Sequence, residues 1–220
     1  MSKLCSAYFS SNGSWTAPAG VTKAIIIGQG GGQGGSGGRN ATGDQAFGGV
    51  GTTPYAIEVS VVPNTSYAVT IGLGGTGGVP RTAATQNGGT GGSTTFGALY
   101  SFSGGVSGFS SFSSFPCNGF VPVTGANGST AVVMYHSGFE VRNSQTTGGL
   151  TVSSYQGGGT GAPGYAGSVP GTGGNGVVGT GVNGGNASGF GAGGGGAGAG
   201  TTGGTGGNGA PGQLWVIWVE

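Results

Sequence analysis

The side chains able to do acid–base or nucleophilic chemistry are few and far apart. His136 is the single histidine, and the acids are Asp44, Glu58, Glu140 and Glu220. An enzymatic centre needs a nucleophile, a base or a metal set held together. His136 and Glu140 are four residues apart, a spacing that faces them on a helix, but the intervening Ser137-Gly138 argues against one. Glu58 falls on the polar parity of an alternating stretch and reads as a solvated face residue. Cys5 and Cys117 sit in unlike contexts without a metal or redox spacing, so two free thiols is the simplest reading and a long-range disulfide the alternative. No catalytic residue, metal site or cofactor is therefore assigned, and the expectation is a protein that is not an enzyme.

The charge pattern excludes further classes. Lys3, Lys23, Arg39, Arg81 and Arg142 are scattered singly, and the net charge is only +1. With no basic stripe to neutralise phosphates, nucleic acid is not an expected partner. No stretch approaches the roughly 20 apolar residues of a membrane span, so membrane insertion is not expected either. Met1-Ser2-Lys3 is not followed by a long apolar run, which predicts synthesis in a cytoplasm without a signal peptide.

Binding chemistry is better represented. Tyr and Trp offer contact area at low entropic cost, and Ser, Gly and Asn adapt their hydrogen bonds. Residues 98–156 have this composition, and Tyr100, Phe109, Phe112, Phe115, Tyr135, His136, Phe139 and Tyr155 are the candidate contacts there, with Tyr165 beyond. For Phe109, Phe112 and Phe115, separated by Ser-Ser pairs, contact and core weigh equally. Phe96, Phe102, Val133 and Val141 read as core, and Trp15, Trp215 and Trp218 as structural.

These residues need a scaffold, and glycine dominates what is left: 61 of 220 residues. Counting in threes from Gly158 to Gly212, 15 of 19 positions are glycine, against 8 and 5 in the other two phases. Pro170, Val182, Ser188 and Ala197 are the exceptions. A period of three is neither helical nor strand-like, but it is that of polyproline II. That helix has no internal hydrogen bonds, so its peptide groups need lateral partners, and glycine lets another backbone approach to supply them. Collagen asks for an unbroken repeat and far more proline than the 9 present, and a disordered glycine linker is the other rival. The preferred reading is a stack of short glycine helices, with turns near Ser168–Pro170 and Asn186–Ser188.

Strand signals punctuate the glycine. Lys23–Ile27 is a β-branched run ended by Gly28. Residues 54–71 alternate on either side of Pro63-Asn64-Thr65 and predict a β-hairpin with one buried face. Thr130–Tyr135, Phe139–Val141 and Leu214–Val219 read as strands, the last pairing with the N-terminal ones. Glycine-rich runs follow Ile27 and Ile71, but no helix-forming segment or Gly-Lys-Ser/Thr appears to make a phosphate loop. The predicted fold is all-β plus polyproline II, a polyglycine-II bundle capped by short antiparallel strands, with almost no α-helix. Its parts are a lead-in (1–10), strands and first glycine blocks (11–97), an aromatic insert (98–156), the glycine bundle (157–212) and a closing strand (213–219).

Four elements in order carry a resemblance. They are Ser14-Trp15-Thr16-Ala17-Pro18-Ala19-Gly20-Val21-Thr22 before an apolar strand and glycine run, and the alternating stretch ending in Ile71-Gly72-Leu73-Gly74-Gly75. Then come Gly91-Gly92-Ser93-Thr94-Thr95-Phe96-Gly97, and Gly-Ala-Pro-Gly before a C-terminal strand with Trp and Glu. Together they resemble the glycine-rich receptor-binding domain of bacteriophage tail fibres, and the glycine blocks with aromatic loops resemble the tip adhesins of T-even-like phages. The resemblance implies a polyglycine-II sandwich displaying loops to a protein or glycan receptor on the host bacterium. It also implies location in the virion, at a tail-fibre or spike tip, with another fibre protein or self-association as partner. Tip adhesins carry a sizeable N-terminal docking domain, whereas about ten residues precede the glycine-rich domain here, which leaves the mode of attachment open. The alternatives are a structural virion or fibre component and an ice-binding protein. The second is weakened because Thr172, Thr180, Thr201 and Thr205 share no common three-residue phase.

Overall fold

The computed structural model describes residues 2–40, 46–80, 87–106, 158–164 and 167–220, together with the backbone of three strands between residues 120 and 141. The described residues form an all-β protein without helix. Its strands are β1 (Leu4–Phe9), β2 (Gly13–Thr16), β3 (Lys23–Gln29), β4 (Tyr55–Ser60), β5 (Ser66–Thr70), β6 (Thr94–Phe96), β7 (Tyr100–Phe102), β8 (Phe120–Thr124), β9 (Thr130–His136), β10 (Phe139–Val141) and β11 (Gln213–Val219).

Two four-stranded antiparallel sheets, β1-β11-β3-β4 and β2-β5-β6-β7, face each other across an apolar core. Alternation along the strands explains which side chains enter it. Ala24 and Ile26 of β3, Val59 of β4, and Leu214 and Val216 of β11 point in from one sheet. Trp15, Val69, Phe96 and Phe102 point in from the other. Trp15 lies 5.3 Å from Trp218 across the gap and 5.8 Å from Phe96. Phe96 and Phe102 are fully buried, as their sequence context suggests, and Trp15 and Trp218 are structural. A third antiparallel sheet, β10-β9-β8, runs in the order expected for two successive hairpins.

Three expectations change. Residues 1–10 are not merely a lead-in: β1 pairs with β11 from Leu4↔Val219 to Phe9↔Leu214, tying the two chain ends together. The alternating stretch 54–71 has one buried face but is not a hairpin. β4 pairs with β3 and β5 with β2 and β6, so the chain crosses from one sheet to the other at Pro63-Asn64, where Asn64 takes a φ of 59°. Alternation reports a half-buried strand but not its partner. Tyr100, grouped with the insert and its contacts, belongs to β7 and packs on the rim of the core beside Phe102.

The glycine-rich segments leave these sheets and belong to no helix or strand. Their backbone hydrogen bonds run sideways and repeat in threes. Along residues 31–38, Gly31 and Gly34 donate to Gly92 and Gly89, Gly32, Gly35 and Gly38 donate to Ala210, Gly207 and Gly204, and Gln33 and Ser36 donate to Val50 and Phe47. Carbonyls of the same stretch accept from Gly75 and Gly78, from Gly194 and Ala197, and from Gly105. Residues 30–38 are thus surrounded by segments 87–92, 203–210, 46–52, 72–80, 192–199 and 103–106. Residues 192–199 have an equivalent ring, made of 30–38, 203–210, 46–52, 158–164, 171–177 and 181–187. These bonds define three layers: 72–80, 203–210 and 181–187 on one side, 87–92, 30–38, 192–199 and 171–177 in the middle, and 103–106, 46–52 and 158–164 on the other. The two ringed segments are buried along their whole length.

Glycine is required because the segments lie too close for a Cβ. One added at Gly35 would collide with the Gly195 carbonyl, and one at Gly195 with the Thr172 carbonyl. The exceptions to the repeat divide into two kinds. Pro170 and Ser188 lie at turns, beside Gly167 (φ 85°) and Gly189 (φ 78°). Val182 and Ala197 lie inside straight segments; the Ala197 methyl is fully buried in a gap between segments, and Val182 faces out. Three backbone N–H groups of the outer layer are accepted by asparagine side chains. Asn183 Oδ1 takes the N–H of Thr205, Asn186 Oδ1 that of Asn208, and Asn208 Oδ1 that of Gly77, each at 2.8 Å.

Two stability predictions follow from this packing. Gly35→Ala forces the segments apart and should cost more than about 3 kcal/mol, lowering Tm by roughly 6–12 °C or preventing folding, while exposed Thr76→Ala changes Tm little; equal melting temperatures would refute the close approach. Gln29 is 1% exposed, yet its carboxamide N and O meet no hydrogen-bonding partner. Gln29→Leu, similar in volume, should therefore stabilise by about 1 kcal/mol, read as a rise in denaturation midpoint; a fall would show that the amide is bonded.

Candidate functional site

The bundle has two different ends. Segments 30–38, 72–80, 171–177 and 192–199 run away from the sheets, and 46–52, 158–164, 181–187 and 203–210 run back. The sheet end is closed by β-structure and by the turn around Phe190, whose ring meets Tyr8 edge-on at 6.4 Å. The far end is built from turns. Gly200 N–H donates to the Arg39 carbonyl, Gly203 N–H to Asn40 Oδ1 (2.6 Å), Thr202 N–H to the Gly179 carbonyl, and Thr201 Oγ1 to the same carbonyl (3.1 Å). Thr180 and Thr202 form a bridge. These bonds draw residues 38–40, 178–181 and 200–203 into one surface that presents Val178, Thr180, Thr201 and Thr202 to solvent, with Val79 and Pro80 on the neighbouring segment also exposed.

Of the sequence-nominated contacts, Tyr100 is fully described, and it lies at the sheet end. It is half-buried, its hydroxyl 3.2 Å from that of Tyr55 and its ring 5.0 Å from Phe102. That places it on the rim of the core. Tyr135 and His136 fall at the end of β9 and Phe139 at the start of β10, with Phe139 opposite His136 in the register. The strand pairing thus brings these backbones together across the connection between β9 and β10. Phe109, Phe112, Phe115, Tyr155 and Tyr165 lie outside the described residues. Val106 lies one turn from the sheets, whereas Gly158, beside Gly174 and Gly196, lies toward the far end.

Sequence reasoning missed the tip residues Val178, Thr180, Thr201 and Thr202 because they are small and ordinary in composition. No break in the repeat marked them: Gly176, Gly179, Gly200 and Gly203 keep the three-residue phase, whereas the interruptions at Ser168–Pro170 and Asn186–Ser188 fall at the sheet end.

Electrostatics are weak among the described residues. The ion pair Lys23–Glu58 spans β3 and β4 at 2.7 Å on the solvent side, and both partners are largely exposed. The hydrogen bond to Glu58 and its charge hold the Lys23 ammonium above the usual lysine range. The stabilisation behind that upward shift is present at neutral pH and is lost as pH rises through the Lys23 titration. Tyr8, partly covered beside Trp215, has its hydroxyl pushed up by burial and donates to Gln213 Oε1 at 3.2 Å. Among the described residues no three His, Cys, Asp or Glu side chains come together as a metal site. No helix there is long and apolar enough to cross a membrane, and Cys5 is a free thiol. A shallow hollow of about 280 Å³ on the outer side of the sheets, lined by Leu4, Val21, Ile25 and Ile217, has Lys23 and Glu58 as its charged groups.

Such a surface offers shape, hydroxyls, amides and apolar edges, with little charge. Comparison with curated proteins finds no match. The model of the glycine-rich domain, by contrast, matches residues 9–219, nearly the whole chain. The chain therefore belongs to the glycine-rich domain family.

Proposed function

We propose that this protein is a bacteriophage adhesin that recognises a receptor on the host cell surface, with the glycine bundle as rigid scaffold. The observation that carries the reading is the polarity of the bundle. The sheets and the aromatic core occupy one end, while turns converge on the other, away from the apolar core. Loops placed so can vary without disturbing the scaffold, which is the arrangement binding surfaces favour. The receptor, protein or glycan, is met by aromatic side chains of the 107–157 segment, Phe109, Phe112, Phe115, Tyr135, His136, Phe139 and Tyr155 among them. The tip residues Val178, Thr180, Thr201 and Thr202 offer a further contact surface. Tyr165 follows Gly164, which packs against the Phe190–Ala192 backbone at the sheet end, and is the weaker candidate. The protein is made in the host cytoplasm and works in the virion, held by another fibre protein or by its own kind.

The segments of the scaffold are polyglycine-II helices in this reading. Donors that recur in three directions, one per residue, support a repeat of three residues per turn. Lateral bonding to a full ring of neighbours supports the packing.

Replacing residues 107–157 by a Gly-Ser linker should abolish labelling of susceptible bacteria by the purified protein. The near-ultraviolet signal of the tryptophan core should persist. Undiminished labelling with an intact core would sink the site assignment.

One observation favours a second reading, ice binding. The outer layer formed by 72–80, 203–210 and 181–187 carries Leu73, Thr76 and Val79, then Thr202, Thr205 and Asn208, then Thr180, Asn183 and Asn186, in side-by-side columns repeating every third residue. Threonines need not share one sequence phase to share such a face, because they sit on different segments. At a rise of about 3.1 Å per residue the repeat along each column is roughly 9 Å. Thermal hysteresis in dilute solution, lost in Thr205→Lys, is the expected result on this reading; no hysteresis in the unaltered protein eliminates it.

A further inference from the structure

We infer that the free edge of β1 is a self-association site, at which two copies of this chain join their β1-β11-β3-β4 sheets into one. Lys3 and Glu220 exchange both backbone hydrogen bonds, at 2.8 and 2.9 Å. In an antiparallel ladder the bonded pairs alternate. Cys5, Ala7 and Phe9 therefore bond to β11, whereas the N–H and C=O groups of Leu4, Ser6 and Tyr8 point away from the sheet. No backbone hydrogen bond to another element engages them among the described residues. Leu4 is 73% exposed and Tyr8 47%.

Exposed edges are normally protected by charge, proline, a bulge or brevity. The other outer strands show such devices: β4 carries Glu58 and is flanked by Pro54 and Pro63, β2 has four residues, and β7 has three. β1 has six residues, Leu-Cys-Ser-Ala-Tyr-Phe, with neither charge nor proline.

The edge is also self-complementary. Set antiparallel about a twofold axis at Ser6, the small Ser6 meets its own copy, and Leu4 meets Tyr8 on both sides. The backbone groups that point outward then face each other, with two hydrogen bonds at the dyad and two at each Leu4–Tyr8 pair. Side chains on the solvent face of the joined sheet continue the contact, because Leu4, Tyr8, Trp215, Ile217 and Val219 form an apolar surface beside the edge. Among the described residues the ion pair on this face, Lys23–Glu58, is internally neutral, so it does not oppose the approach by charge repulsion. Antiparallel pairing sends the two bundles in opposite directions, so their loop ends do not collide. This association does not depend on the adhesin reading.

The test is sedimentation velocity over a dilution series of the full chain. The unaltered protein should dimerise reversibly. Ser6→Pro, which removes the donor at the dyad from both copies and is tolerated on an outer strand, should raise the dissociation constant by about tenfold or more. Ser6→Lys, which keeps the donor but sets two ammonium groups opposite each other, should shift it the same way, with Tm unchanged as the check on folding. A monomer at every concentration, or a dimer indifferent to both substitutions, would overturn the proposal and leave the edge to a different strand or to solvent.

Discussion

The close approach of peptide backbones, possible only where no Cβ intervenes, is the interaction on which the rest of this structure depends. At Gly35 and Gly195 the space a methyl group would need is already filled by a neighbouring carbonyl. The same contact satisfies the hydrogen bonds that these segments cannot make internally. One feature of sequence therefore solves two problems, packing and polar satisfaction, without a conventional apolar core. It also has a cost, since glycine loses more conformational freedom on folding than any other residue. Against that cost stand the lateral bonds and the burial of two complete segments, 30–38 and 192–199.

The sheets supply what glycine cannot. A bundle whose segments present nearly identical surfaces has no side-chain code to decide which segment lies beside which. The strands provide that code at one end: β3 launches residues 30–38 from the centre of its sheet, and β11 receives residues 203–212 beside it. Trp15, Phe96, Phe102 and Trp218 hold the two sheets in one arrangement. Once those positions are set, the first bond in each column of the bundle fixes the register of the bonds beyond it. The few side chains admitted to the bundle reinforce this order. Gln33, for example, accepts the Val50 N–H with its amide oxygen at 3.1 Å while its own N–H donates to the Val50 carbonyl.

The three-residue glycine phase and the strand runs were legible in the sequence because both are periodic and local. The core roles of Phe96 and Phe102 were legible for the same reason. Pairings were not. Gly31 bonds to Gly92, and Gly32, the next residue, bonds to Ala210; nothing in either glycine distinguishes the two partners. The crossing of β4 and β5 into different sheets was hidden because alternation describes faces and not neighbours. Tyr100 was misgrouped with the insert because aromatic density marks cores and contact loops alike. Of the candidate contacts, the β9–β10 pairing sets Phe139 opposite His136, a proximity that no spacing argument had addressed.

A scaffold of this kind separates stability from recognition more completely than an ordinary globular core does. Side chains of the apolar core lie between the sheets, so a substitution at the far end removes no packing there. The tip turns lean on backbone bonds, such as Thr202 to Gly179 and Gly200 to Arg39, which any side chain pointing outward leaves intact. The middle-layer glycines, in contrast, admit almost no change, because the space beside them is occupied. Variation is thus confined by sterics to turns and outward columns and forbidden along the buried segments. A surface that must follow a changing partner can change there, and the same steric rule keeps the fold beneath it constant.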